Sequence, residues 1–262
     1  MKRQTQNALA YYQFDSLDNA SDSPIAHGVF TRLGGVSEGI YASLNLSRST
    51  GDAAEPVREN RERLNAVFDL SYEETLTSWL VHSNHVRVVS KNDRGQNDVH
   101  ADSLVTQTPG LALTLRFADC VPVLFHDPIQ KAIGIAHAGW PGMACQVLPA
   151  TIATMQAAFG SQPQDIRACV GPSIGPTKFE VGLDVAKKIQ AAVSADITLP
   201  HPDPNKRYMN LWQAAQSQLN DCGVSEVEIA NICTASNTHE WFSHRAEKGQ
   251  TGRFGALVML NR

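Results

Sequence analysis

Three apolar, β-capable segments follow one another in the middle of the chain and constrain its fold more than any other feature. They run from Leu111 to Phe117, from Val121 to Phe125 and from Lys131 to Ala136. Turn-forming pairs such as Pro109-Gly110 and Asp127-Pro128 bound them. Short β-capable runs between turn signals are typical of central strands. The sequence therefore predicts a buried sheet around these segments.

Helical segments surround these strands. The spacing of apolar residues predicts helices over Pro56–Leu70, Met143–Phe159, Leu183–Val193 and Leu211–Cys222. The first of them places Glu59 and Arg63 at i and i+4, where opposite charges attract.

A strand is also predicted over Phe254–Leu260. Strands and helices are mixed without a regular βαβ rhythm, which predicts an α+β fold with mixed β-sheets flanked by helices. Because no linker, repeat or low-complexity tract divides the sequence, we expect a single catalytic domain over residues 1–262. The segment of about residues 1–25 is its least defined part.

Composition limits the classes of function. The 262 residues, 42% of them hydrophobic, can bury a full core. The sequence contains no run of about twenty apolar residues, so we expect no membrane partner and a cytoplasmic location. The formal net charge of −4, without a dense Lys/Arg block, argues against nucleic acid as a partner. The five scattered cysteines are expected to be reduced thiols.

His82, Cys120 and His137 each lie where an apolar run ends and a turn begins. A thiolate with two imidazoles suits zinc, with copper possible, better than magnesium or calcium. Three protein ligands leave the fourth zinc position open, as in catalytic sites. His85 competes as a ligand if its segment is helical, but in a strand it faces away from His82, which we prefer. Asp119 either orients a ligand or caps a turn.

The sequence around these residues resembles a known bacterial family. The shared motifs are His27–Gly39, Ser43–Leu46, Val57–Arg61, Ala118–Leu124, Ala136–Trp140, Cys169–Ile174, Phe179–Gly182 and Thr251–Arg253. They resemble the laccase-domain or multicopper polyphenol oxidase proteins, described as purine nucleoside phosphorylases with adenosine deaminase activity and in part as peptidoglycan editing factors. The resemblance extends from about His27 to the C-terminus and implies an α+β fold.

The resemblance implies a zinc-dependent enzyme that phosphorolyses adenosine and inosine and deaminates adenosine. Its small-molecule partners would be a purine nucleoside and phosphate. Zinc lowers the pKa of bound water to about 7, which suits deamination by metal-bound water. Phosphorolysis needs negative charge held by arginines or N–H groups. The candidates are Arg32, Arg48, Arg61, Arg245 and Arg253, and we predict that Arg32 and Arg245 act with His82, Cys120 and His137.

Four positions depart from the family pattern. Pro141 follows the His-Ala-Gly-Trp motif where the family usually has a basic residue, and Ala246 follows Arg245 instead of a second arginine. Around His82, Leu80 and Ser83 replace the glutamine and the glycine of the usual Gln-Val-His-Gly. The sequence therefore leaves open whether phosphate or water is the nucleophile.

Other functions and the oligomeric state also stay open. Cys120 can instead act as a nucleophile, with His137 as its base, in an amidase that edits a peptidoglycan precursor. A non-catalytic zinc protein is a third possibility and would need a fourth ligand such as His85. Nine histidines without a His-x-His pair argue against several copper centres.

Overall fold

This computed structural model describes residues 1–17, 24–94 and 99–262. These residues contain fifteen strands and five α-helices. The helices are Ala54–Ala66 (α1), Trp140–Ala144 (α2), Val147–Phe159 (α3), Leu183–Gln190 (α4) and Leu211–Asp221 (α5). The strands are Lys2–Gln6 (β1), Leu9–Gln13 (β2), Ile25–Phe30 (β3), Thr75–Thr77 (β4), Val86–Val88 (β5), Ser103–Thr106 (β6), Ala112–Phe117 (β7), Val121–Asp127 (β8), Ala132–Ala138 (β9), Arg167–Val170 (β10), Glu180–Gly182 (β11), Thr198–Leu199 (β12), Lys206–Met209 (β13), Glu226–Ile229 (β14) and Phe254–Leu260 (β15).

Most strands belong to two six-stranded sheets. The first has the order β1-β2-β3-β15-β7-β4, and the second has the order β14-β10-β8-β9-β6-β5. A small third sheet has the order β11-β13-β12. Both large sheets are mixed, since β4 pairs with β7 and β5 pairs with β6 in parallel while most other pairs are antiparallel. The predicted α+β class with mixed sheets is confirmed.

The two large sheets pack face to face over a shared apolar core. Leu113 of β7, Leu124 of β8, Ile135 of β9 and Val258 of β15 are fully buried in this layer. Side chains alternate along a strand, so the neighbours of Leu124 in β8 point to the opposite face. That face packs against helices α2 to α5. Strands β8 and β9 are therefore buried on both faces, which explains their continuous apolar sequences.

Helix α1 covers the outer face of the first sheet. Leu64 packs in a cluster with Tyr11 of β2 and Leu257 of β15. The predicted pair forms on the exposed side of the helix, with Arg63 Nη2 2.6 Å from Glu59 Oε1. None of the helices in the described residues is long and apolar enough to cross a membrane.

The predicted elements differ from the observed ones mainly at their ends. Strand β15 has the predicted bounds, and β9 continues to Ala138, so that it includes His137. The single helix predicted over Met143–Phe159 is wrong, because Gln146 has a left-handed φ of 60° that ends α2 and starts α3. This break lets both helices turn apolar residues toward the second sheet. Of the uncertain N-terminal segment, residues 1–17 include β1 and β2 of the first sheet, and residues 18–23 lie outside the described residues.

Candidate metal centre and active site

Cys120 and His137 come together because β8 and β9 are neighbouring antiparallel strands. Cys120 directly precedes β8, and Pro122 of β8 pairs with His137 of β9. The residue before Cys120 is Asp119, whose φ of 81° reverses the chain between β7 and β8. The end of the β8–β9 pair therefore presents a thiol and an imidazole side by side.

His82 reaches this point from an irregular loop that a buried carboxylate holds. Asp102 is fully buried, and its oxygens accept hydrogen bonds from the backbone N–H groups of Val81 at 3.3 Å, His82 at 3.0 Å and Ser83 at 2.7 Å. The same carboxylate lies 3.0 Å from Nδ1 of His137. One side chain thus fixes two of the three candidate ligands.

The segment that contains His82 and His85 is neither a strand nor a helix. It is a bend in which His82 has a left-handed φ of 57°. Strand geometry therefore does not separate the His82 and His85 side chains. In the described residues, the group of possible metal ligands at this point contains His82, Cys120 and His137 and does not include His85.

The geometry of the three side chains fits a metal ion. One ligand atom from each lies within 4.8 Å of the others, and the two imidazole rings have centroids 4.9 Å apart. Gly139 leaves the space between them open. A Cβ atom at Gly139 would lie 2.9 Å from Sγ of Cys120 and 3.2 Å from Nδ1 of His82. Two nitrogens and one sulphur around a small space are a donor set that zinc accepts.

The protonation of two of these groups also suits a cation. Burial lowers the pKa of His82, and the neighbouring His137 lowers it further, so His82 is a neutral imidazole near pH 7. Burial raises the pKa of the Cys120 thiol to about 12, with a smaller contribution from Asp119. Cys120 therefore needs a cation beside it to become a thiolate, the form that binds metal.

Asp102 also determines which nitrogen of His137 is available. Burial alone would raise the pKa of Asp102, but hydrogen bonds from His137 and from the Ser83 N–H outweigh it, and the pKa lies below its ordinary value. An ionised carboxylate only accepts hydrogen bonds. Nδ1 of His137 therefore carries the hydrogen, and the lone pair of Nε2 is directed elsewhere, as in carboxylate–histidine–metal arrangements.

Asp119 was predicted to orient a metal ligand or to cap a turn, but its hydrogen bonds join distant segments. Its carboxylate accepts hydrogen bonds of 2.7 Å each from Thr234 Oγ1, Ser243 Oγ and the backbone N–H of Arg245. Asp119 therefore orients no histidine. It connects the Cys120 turn to the chain that carries Arg245.

A cavity of about 570 Å³ opens over the three candidate ligands, a volume typical of small-molecule sites. Its apolar wall includes Trp140, Pro141, Ile174 and Phe179. Its positive charge comes from Arg116, Arg245 and Arg253. Pro141 contributes no charge, so the cations of this cavity come from other elements.

The arginines predicted from sequence lie in different places. Arg245 lines the cavity, donates to the Glu180 carbonyl at 2.9 Å and lies 5.6 Å from the ring centre of Phe179. Arg32 does not line it. Its Nη1 lies 2.8 Å from Glu247 Oε1, and its guanidinium stacks 4.3 Å from the ring centre of Phe242. These contacts are typical of a structural arginine.

Two residues of the site escaped the sequence analysis, Asp102 and Arg116. Both are charged residues beside or inside apolar strands: Asp102 precedes β6, and Arg116 lies within β7. A buried charge is unfavourable unless it is paired or binds a ligand, so a charged residue beside or within an apolar run indicates a special position. Motif spacing did not identify these two positions, because their partners are distant in sequence.

Residues 26–261 match the family described as multi-copper polyphenol oxidoreductase laccase. The chain is 34% identical over 260 residues to a purine nucleoside phosphorylase of Bacteroides thetaiotaomicron, covering 95% of this chain and 96% of that one. It is 36% identical over 243 residues to a purine nucleoside phosphorylase of Deinococcus radiodurans, covering 93% and 92% of the two chains.

The fold agrees with these sequence matches. The crystal structure of YlmD from Geobacillus stearothermophilus superposes with a TM-score of 0.93 at 29% identity, over 99% of this chain and 98% of that one. The site and fold define an α+β protein with a three-residue candidate metal centre in the lining of a cavity of about 570 Å³. The chain belongs to the multi-copper polyphenol oxidoreductase laccase family, as its motifs predicted.

Replacing Asp102 by Asn keeps the shape of the side chain but removes the charge that holds His137 and the His82 loop. We expect Asp102→Asn to weaken zinc binding by about 10- to 100-fold, the usual effect of losing such a partner. Competition with a coloured chelator measures this affinity. Asp127→Asn is the matched control, since Asp127 is a buried carboxylate of β8 that accepts hydrogen bonds from the backbone N–H groups of Ile129 and Gln130. Equal zinc affinities in Asp102→Asn and wild type would contradict this role.

Replacing Gly139 by Ala tests the space between the ligands. The φ of Gly139 is −67°, which alanine adopts without strain, but its Cβ would lie in the space that a metal needs. We expect Gly139→Ala to fold and to lose bound metal, as measured by elemental analysis and circular dichroism. Gly182→Ala is the control, because Gly182 precedes α4 with a φ of −68° and a Cβ there meets only Asp184 Oδ1 within 3 Å. Full metal content in Gly139→Ala would show that the metal binds elsewhere.

Proposed function

We propose that this protein is a zinc-dependent purine nucleoside enzyme that phosphorolyses adenosine and inosine and deaminates adenosine. The observation that carries the proposal is the group of three candidate ligand residues, with no fourth among the described residues, in the lining of a cavity of about 570 Å³. Such an open site is characteristic of catalytic zinc. The relatives named purine nucleoside phosphorylase support the substrate class.

His82, Cys120 and His137 would hold the metal, and the donor set suits zinc, with copper as the alternative. A zinc ion held there would supply Lewis acidity and lower the pKa of water to near neutral pH. Asp102 keeps His137 in one tautomer and keeps the His82 loop in place. These bonds hold two of the three candidate ligands in place.

The remaining cavity suits a purine nucleoside. Ile174, Phe179 and Trp140 supply apolar surface against which a purine can pack. Arg245 and Arg253 bring positive charge to the same cavity, and their side chains bond to backbone carbonyl groups. Both guanidiniums are thus oriented but not neutralised by these contacts. Charge of this kind stabilises an anionic nucleophile and the negative charge that develops as a glycosidic bond breaks.

A second candidate is a metal-free amidase that acts on a peptidoglycan precursor. One observation favours it: Asp102, His137 and Cys120 are arranged like an acid, a base and a nucleophile. The raised pKa of Cys120 argues against it, because such a nucleophile needs a thiolate near neutral pH. A purely structural zinc site has the weaker support, since it normally has four protein ligands.

Product analysis separates these functions. Purified protein of known zinc content is incubated with adenosine, with or without phosphate, and with or without a chelator. We expect inosine from deamination and adenine with ribose 1-phosphate from phosphorolysis, both only with metal present. Cys120→Ala should lose metal and both activities. No turnover of adenosine by the zinc-loaded protein would contradict the nucleoside enzyme and favour the amidase, whose cleavage of a peptidoglycan precursor should survive metal removal and stop after thiol alkylation.

Arg245 and Arg32 make a matched pair of substitutions. Because Arg245 lines the cavity, Arg245→Gln should lower kcat for phosphorolysis by about 10- to 100-fold, as expected when charge stabilisation at the reacting centre is lost. Arg32→Gln removes the ion pair with Glu247 outside the cavity lining. It should lower the melting temperature and leave kcat within about twofold per folded protein. The reverse pattern would assign the catalytic charge to Arg32.

A further inference from the structure

A second cavity, of about 270 Å³, adjoins the metal cavity. We call it the arginine pocket, because Arg48, Arg61 and Arg116 line it. Ser47, Ser49, Tyr72, Thr77, Ser78 and Trp79 complete its lining. Four residues line both cavities: Ser47, Ser49, Trp79 and Arg116. The arginine pocket therefore lies beside the metal cavity, with Arg116 at the boundary.

Among the described residues, Arg116 and Arg61 donate hydrogen bonds to uncharged groups. Arg116 donates to Thr77 Oγ1 at 3.1 Å and to the Ser78 carbonyl at 2.8 Å. Arg61 donates from Nε and Nη2 to the Leu46 carbonyl at 3.0 and 2.8 Å. These bonds fix the two guanidinium planes.

The described residues that line this pocket include no acidic side chain. Within the described residues, its lining contains no Asp or Glu, and none of the three arginines forms an ion pair there. By contrast, Arg58 on the exposed face of the same helix α1 pairs with Glu55 and Glu62. The positive charge of the pocket is therefore uncompensated.

Burial makes this uncompensated charge unfavourable. It lowers the pKa of Arg116 to about 10, and the positive charge of Arg61 contributes in the same direction. The pKa of Arg61 is also lowered, chiefly by burial and in part by Arg48. Both guanidiniums nevertheless stay charged near pH 7. Like charges that are held close in a partly buried pocket are stabilised when an anion binds between them.

We propose that the arginine pocket binds a phosphate oxyanion. Three guanidiniums match the charge and the multiple oxygens of phosphate better than the two oxygens of a carboxylate. Pro141 offers no charge to the metal cavity, and Arg116 supplies a cation at the boundary of the two cavities. The phosphate is either the inorganic ion or the phosphate group of a purine nucleotide.

The link to catalysis rests on the proposed function. In phosphorolysis an oxygen of inorganic phosphate bonds to the anomeric carbon while the bond from that carbon to the purine nitrogen breaks. The bonding pair stays with the nitrogen, which takes a proton, and the products are the free base and ribose 1-phosphate. Phosphate held beside the metal cavity is a local supply of this nucleophile. A nucleotide would instead place its own phosphate there and its purine in the metal cavity.

Calorimetric titration of inorganic phosphate into the zinc-loaded protein tests the site without any nucleoside. We expect Arg116→Gln and Arg48→Gln each to weaken phosphate binding by about tenfold or more, as charge-assisted contacts are lost. Arg116→Lys should keep part of the affinity because the charge remains. Arg58→Gln is the control with the same change of charge on α1 and should bind phosphate like the wild type.

The two sources are distinguished by repeating the titration with adenosine and with adenosine 5′-monophosphate. If the source is inorganic phosphate, the variants weaken phosphate binding and raise its KM. If the source is a nucleotide, the wild type binds the monophosphate at least about tenfold more tightly than adenosine, and Arg116→Gln removes that preference.

Unchanged affinities for both phosphate and the monophosphate in the Arg116 and Arg48 variants would overturn the proposal. Arg48 is exposed, so Arg48→Gln stays informative even where Arg116→Gln does not fold. Phosphate binding that these variants abolish, in a protein that turns over no adenosine, would support the pocket and refute the proposed function. Failure of the phosphate site and failure of the proposed function therefore give different results.

Discussion

The buried carboxylate of Asp102 is the interaction on which the rest of the site depends. A charge in the interior is unfavourable unless hydrogen bonds replace its hydration. Asp102 is fully buried and accepts bonds from three backbone N–H groups, the Ser83 hydroxyl and Nδ1 of His137. Its backbone also joins the two parts, since its N–H donates to the His85 carbonyl and its carbonyl accepts from the His137 N–H. The loop that carries His82 and the strand that carries His137 are consequently one unit.

Asp119, which also lines the cavity, likewise joins distant segments through hydrogen bonds. Its three bonds connect the turn before Cys120 to Thr234, Ser243 and Arg245, which lie more than a hundred residues later in the chain. Two buried carboxylates therefore assemble the candidate metal ligands and one of the cavity arginines from distant segments. The positive charges of the cavities are left for a ligand, because the nearby acidic groups are already engaged within the protein. This division of charge favours anionic substrates.

Much of this arrangement could be predicted from sequence because it depends on local patterns. The apolar run of β15 predicted both of its ends, and the i,i+4 spacing predicted the ion pair of Glu59 and Arg63. The break between α2 and α3 could not be predicted, since the left-handed Gln146 responds to packing against the second sheet and not to its own propensity. The motif around Arg32 likewise did not show that Glu247, more than two hundred residues away, takes up its guanidinium.

Asp102 and Arg116 show the limit of motif-based prediction most clearly. Each was visible as a charge beside or within an apolar run, but its function depends on partners that only the folded sheets bring near.

We propose above all that His82, Cys120 and His137 bind a metal whose remaining position is open. X-ray absorption at the zinc edge of the purified protein tests it most directly. We predict one sulphur and two imidazole ligands, with the remaining coordination exchangeable for added anions. A spectrum without sulphur, or with four protein ligands and no response to anions, would contradict the account.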